Sequence, residues 1–231
     1  MSLRIKKSPK DRHIEKVLRE PNRKIFIVCE GDKTEVIYFQ GIKDHSKALG
    51  INDLLELVIM DKDPESKGVS DPRGLVALAD DSISSFQCNG DDVTYDKERD
   101  KFLIVLDRDQ GDFKDYKSFV DENKDKFILG ITNPCFELWL LLHIKNAVDD
   151  IIAPEYQKIL ENCKVSNKHT FISKIVSDKL HMNPKGGMNF FKFYKDVSYA
   201  IEQEKKLEQD LYGLENKVGS NIGKIIEKEM L

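Results

Sequence analysis

The feature that most limits what this chain can fold into is a pair of short apolar runs that each end abruptly in acid. Ile25-Phe26-Ile27-Val28-Cys29 runs into Glu30-Gly31, and Phe102-Leu103-Ile104-Val105-Leu106 runs into Asp107-Arg108-Asp109. Both runs are continuous rather than alternating, and rich in β-branched and aromatic residues. That is the pattern of a strand buried on both faces, as in the centre of a parallel sheet. Between and after them the spacing alternates. Thr34 to about Leu49 predicts a helix with Val36, Ile37, Phe39 and Ile42 on its apolar side. Leu54–Met60 predicts a strand, the stretch 61–74 a loop, and Leu75–Phe86 a helix. Residues 89–100 read as a polar loop or short insertion, Phe113–Lys126 as a helix and Phe127–Thr132 as a strand, before an apolar helix over Cys135–His143. Strand and helix in alternation predict an α/β fold with a small parallel sheet flanked by helices.

The rest of the chain is read more simply. Residues 1–23 form a basic N-terminal arm, 24–145 the α/β core, and 146–231 a helical C-terminal part, with no further strand expected after about Asp149. Residues 1–24 hold nine basic and three acidic residues, a balance of +6 in a chain whose net charge is −4. A basic arm beside an acidic body suits contact with a phosphate backbone, or equally a solvated tail. No apolar run approaches the roughly 18 residues that span a bilayer, and no secretory leader is visible, so a cytoplasmic location without membrane association is expected. Cys29, Cys88, Cys135 and Cys163 form no Cys-x-x-Cys pair and read as reduced, buried thiols. The five histidines lack metal-ligand spacing, and His143 reads as a packed helix histidine. Trp139 reads as core.

The chemistry is expected where the two strands end, because ligands in open parallel sheets bind outside the carboxyl ends of the strands. Asp107 and Asp109 point to the same side, and Arg108 to the other. Two carboxylates on one side form a hard-oxygen cation site suited to Mg²⁺ or Mn²⁺. Glu30 is a third ligand or a general acid–base. Gly31 permits a sharp turn and close approach of a phosphate, which Lys33 could contact; a solvated lysine is the competing reading. Glu137, in an apolar stretch, must lie at a polar edge or bind something, either the metal site or Arg108, because an ionised carboxylate is costly to bury alone. Asn133 fits an N-cap for a helix opening at Pro134. Gly31-Asp32-Lys33-Thr34 lacks the first glycine and spacer of a phosphate-binding loop, so ATP hydrolysis by this chain is not expected. A haloacid-dehalogenase-like phosphatase, with Asp107 as nucleophile and Asp109 as acid–base, would need its Asp-x-Asp after the first strand, where Glu30-Gly31 stands instead.

Four segments carry a resemblance. Ile25 to Glu35 with Tyr38-Phe39, then Asp107-Arg108-Asp109, then Asn133-Pro134-Cys135-Phe136-Glu137-Leu138-Trp139-Leu140-Leu141-Leu142-His143, and more loosely Asn216 to Ile222 occur in the order of RloB-like proteins. In the last segment Lys217 stands where the family pattern has proline, and Gly219-Ser220 where it has Ser-Thr. The resemblance implies a Toprim-like, Rossmann-like core in which Glu30, Asp107 and Asp109 serve Mg²⁺-dependent phosphodiester chemistry. It implies a nuclease acting on RNA or DNA, found in phage-defence and abortive-infection loci beside an ATPase of the ABC/AAA type. The alternatives are a non-catalytic partner subunit of such a system, binding nucleic acid or protein, and the phosphatase.

Overall fold

The apolar runs form the expected strands. In a computed structural model of the chain, the described residues are 3–5, 22–63, 66, 69, 71–88, 94–108, 113–167, 169–181 and 189–231. Strands β1 (Leu3–Ile5), β2 (Arg23–Cys29), β3 (Leu55–Lys62), β4 (Lys101–Asp107), β5 (Ile128–Asn133) and β6 (Gly219–Ser220) hydrogen-bond in the order β1-β3-β2-β4-β5-β6. Pairing of β2 with β3 and with β4 is parallel. The fold is α/β, with a mostly parallel central sheet and helices on its flanks, consistent with a Rossmann-like architecture. The chain divides into two compact units, Met1–Val105 with Asn123–Leu129, and Leu106–Glu122 with Gly130–Leu231.

In the first unit β2 is the middle strand. Ile25, Phe26 and Ile27 are fully buried, as a strand covered on both faces must be. Phe26 stacks on Phe102 with ring centroids 4.9 Å apart, and Phe86 lies 5.3 Å away on the same cluster. Helix α1 (Thr34–Asp44) buries Val36, Tyr38, Phe39 and Ile42, and α2 (Ser46–Leu49) ends at Gly50 with φ +75°. Helix α3 (Pro72–Cys88) covers the stretch expected to be helical and extends it at both ends. Strand β3 runs on to Lys62, two residues past its expected end. Leu3–Ile5, within the stretch read as a polar arm, is an antiparallel edge strand on β3, with Leu3 opposite Lys62 and Ile5 opposite Met60. The alternation of a three-residue strand is too short to stand out in a basic segment. The basic residues between Ile5 and Pro21 lie outside the described residues.

The second unit contains α4 (Tyr116–Asn123), α5 (Glu137–Leu141), α6 (Tyr156–Glu161), α7 (Phe171–Leu180), α8 (Val197–Glu204) and α9 (Ile222–Ile225), with short 3₁₀ and π turns between and after them. Trp139 is core, with no exposed surface. The expectation of no strand after residue 149 is corrected by β6, which pairs antiparallel with β5. Two residues, Gly and Ser, carry no periodicity, so only the pairing defines this strand. Gly219 is required there, because a Cβ would sit 2.1 Å from the Glu208 carbonyl oxygen. Beside it, Asn221 Oδ1 accepts a hydrogen bond from Ile131 N at 2.7 Å.

Two consecutive polar residues at the end of α8 hold this part together. Gln203 donates to the carbonyls of Leu142 and Ile144, at 2.5 and 2.7 Å, and accepts from Val148 N. Glu204 is completely buried and accepts from Gly223 N and Lys224 N, both at 2.8 Å, and from Gln209. It supplies the acceptor that the first turn of α9 lacks. Burial raises the Glu204 carboxyl above its ordinary value, against the pull of these hydrogen bonds. Among the described residues, no helix is long and apolar enough to cross a membrane.

Candidate functional site

The site in the second unit grows from the end of β4. Asp107 is the last strand residue and half-buried. Its Oδ1 accepts a hydrogen bond from Phe136 N at 2.8 Å, which ties the strand end to the segment leading into α5. Glu137 opens that helix and is 9% exposed. Cys135 is buried too, and its thiol sulfur lies 3.6 Å from Asn162 Nδ2, which donates to it. One ligand atom from each of Asp107, Cys135 and Glu137 lies within 4.8 Å of the others. Glu137 is therefore neither on a solvated edge nor isolated; it faces another carboxylate. Two hard oxygen donors beside a softer sulfur fit a divalent cation. The oxygens alone suit Mg²⁺ or Mn²⁺, and participation of the thiol would favour a borderline metal such as Zn²⁺.

Asn133 does not cap the helix. It is the last residue of β5, its Nδ2 donates to Leu214 O at 2.8 Å, and the residue before α5 is Phe136. Strand pairing with β6 holds Asn133 extended, so the helix starts three residues later than Asn-Pro suggests. His143 follows α5 and is buried as expected. The cysteine reading needs correction at Cys163, which is exposed, whereas Cys29 and Cys135 are buried. The side chain of Cys88 lies outside the described residues.

Arg108 follows Asp107 and is only 8% exposed. Its backbone N donates to Thr132 O at 2.9 Å. The guanidinium carbon lies 4.9 Å from the ring centre of Tyr116 and 5.9 Å from that of Phe113. Tyr116 in turn donates its hydroxyl to Leu211 O at 2.6 Å, and burial raises its phenol above the usual range, against the opposing pull of Arg108. Asp109, the second carboxylate of the Asp-x-Asp pattern, lies outside the described residues.

The other expected residues belong to the first unit. Glu30 follows β2, half-buried, with its N donating to Val105 O at 2.9 Å. Its carbonyl accepts from Lys62 Nζ at 2.5 Å; the same ammonium donates to Val69 O at 2.9 Å and pairs with Asp32 at 3.1 Å. Lys62, which sequence reasoning missed, thus holds the whole Glu30-Gly31-Asp32 turn from the end of β3. A Cβ on Gly31 would lie 2.2 Å from the carboxylate of buried Glu35, which packs over the glycine. Lys33 is exposed at the start of α1. Cys135 was also missed as a ligand candidate. The signal available was the Cys-x-Glu spacing within Asn133 to Glu137, which reads as ordinary core packing without Asp107 opposite.

Comparison with curated proteins and with solved structures returned no match in either set. The family model described as RloB-like protein matches residues 25–228, from the first residues of β2 to the final turn. It encloses Glu30, Asp107, Cys135 and Glu137 in one continuous match, and the chain belongs to the RloB-like protein family.

Proposed function

We propose that this chain is a metal-dependent nuclease of the Toprim type, which cleaves phosphodiesters of RNA or DNA as a phage-defence effector working with an ABC/AAA-type ATPase. The observation that carries the proposal is the convergence of Asp107 and Glu137, with Cys135, at the end of a buried strand. A cation held there by the two carboxylates, with Mg²⁺ or Mn²⁺ the expected ions, would neutralise charge on a phosphate and acidify a bound water. The reading keeps Asp109 as a further ligand, and Glu30 as an essential carboxylate whose turn is fastened by Lys62. The ATPase partner and the defence role rest on the family resemblance.

A second reading has its own support. The hydrogen bond from Phe136 N gives Asp107 a structural task, which a non-catalytic partner subunit would also use. The two readings separate in one experiment. Wild type, Asp107→Asn, Glu137→Gln and Glu30→Gln are titrated with Mn²⁺ by calorimetry and assayed on single- and double-stranded RNA and DNA, with and without the partner ATPase and ATP. The nuclease reading expects weaker metal binding in the first two variants and loss of cleavage in all three, with nucleic-acid binding retained. Equal metal affinity in wild type and Asp107→Asn, with no cleavage by any protein, leaves the partner-subunit reading standing.

A further inference from the structure

Arg108 is the one residue of the Asp107-Arg108-Asp109 pattern that the metal reading leaves without a task. Its position is unusual on physical grounds. Its side chain is a permanent cation, buried to 8% exposure, and among the described residues neither Nε nor Nη1 has a hydrogen-bond partner. A buried charge ordinarily persists only when it is paired and its donors are satisfied. The rings of Tyr116 and Phe113, at 4.9 and 5.9 Å, offset part of that cost through their negative faces but accept no hydrogen bond in the guanidinium plane. They also fix the plane, because Tyr116 is itself held by its bond to Leu211 O. The outcome is a preset fork of donors on a rigid aromatic bed, directly after the strand end that carries Asp107. A planar fork matches a tetrahedral oxyanion far better than an ammonium does.

We propose that Arg108 is the receptor of an oxyanion site, and that the group it takes is a phosphate of a nucleic-acid strand. The guanidinium supplies the in-plane donors, Phe113 and Tyr116 hold it in place, and the arriving phosphate completes the ion pair that the described residues leave open. In naming the substrate group the proposal rests on the nuclease reading, but the anion site itself is tested without metal. Because Arg108 and Asp107 alternate in direction at the strand end, the phosphate held by Arg108 is a neighbour of the one undergoing reaction, so that Arg108 positions the strand.

The test uses the full chain in EDTA. Thermal unfolding is followed in inorganic phosphate against chloride of equal ionic strength, for wild type, Arg108→Met and Arg108→Lys. Phosphate at ten times its Kd is expected to raise the Tm of wild type by about 3–6 °C, to leave Arg108→Met unmoved, and to give Arg108→Lys less than half the wild-type rise. A guanidinium already satisfied within its own chain would give no phosphate-specific rise in wild type, and that result overturns the site. Should Arg108→Met fail to fold, the wild-type series and Arg108→Lys decide alone. In a second arm, fluorescence anisotropy of labelled single-stranded RNA and DNA is measured over a range of salt. Loss of the contact is expected to weaken binding at least tenfold and to make the slope of log K against log salt shallower by about 0.7. A phosphate-specific Tm rise with unchanged oligonucleotide binding overturns the strand as the source and leaves a small phosphate ester. Asp107→Asn keeps the Tm rise even where cleavage fails, so the failure of either proposal is visible on its own.

Discussion

Acidification should destabilise this protein through His143. The ring is buried, with centroids of Trp139 and Phe193 each 5.1 Å away in edge-on contact. Its Nδ1 lies 3.1 Å from Trp139 O, an atom that can only accept, so Nδ1 carries the proton of the neutral ring. Charging the ring would put a second proton on Nε2 within an aromatic cage. Burial lowers the pKa from 6.5 to about 4 in the fold, while the backbone contacts pull the other way. The folded value lies below the unfolded one, so the unfolded chain binds the proton more tightly. The stability linked to this residue is complete above pH 6.5 and is lost as pH falls toward 4. At about 1.4 kcal/mol per pH unit, the loss is about 3 kcal/mol across that window. Urea unfolding of wild type and His143→Asn at several pH values from 7.5 to 4 isolates it, since other groups titrate in both proteins. Asn retains a donor for Trp139 O but does not titrate. The stability difference between the two proteins should shrink by about 3 kcal/mol on acidification. A difference that stays constant would refute the assignment of a neutral, buried His143.

Further outcomes follow from the same contacts. Glu204→Ala strips the acceptor from Gly223 N and Lys224 N, and should cost about 2–4 kcal/mol in urea unfolding because buried donors are left unmet. Gly219→Ala places a methyl on the Glu208 carbonyl and should cost about 2 kcal/mol or more by forcing β6 away from β5. Gly50→Ala meets no atom within 4 Å at its φ of +75°, so thermal unfolding should show only the milder left-handed cost of about 1 kcal/mol. Under the proposed nuclease function, Lys62→Met, which releases the Glu30 carbonyl and Asp32, should reduce cleavage without changing the Mn²⁺ titration of the Asp107 group. A lowered metal affinity in that variant would contradict this division of labour.

Much of the sheet was legible because continuous apolar runs have few alternatives. Ile25–Cys29 and Phe102–Leu106 are too short for helices and too apolar for surface strands, so β2 and β4 follow from burial alone, as do the acids that terminate them. The candidate residues Glu30, Asp107 and Glu137 could be picked out for the same reason, as charges placed where an apolar run stops or must tolerate them. Residues whose meaning depends on a distant partner were not. Cys135 reads as core until Asp107 stands opposite it, and Lys62 reads as part of a loop until the Glu30 carbonyl reaches it. Gly219-Ser220 becomes a strand only through β5, and Glu204 reads as one more charge of a helix until α9 presents two amides to it. Local sequence determines which segments must be buried, since burial is a property of composition over a few residues. Which polar atom satisfies which is settled only when segments dozens of residues apart are brought to within 3 Å, because hydrogen bonds and ion pairs are short-ranged and directional.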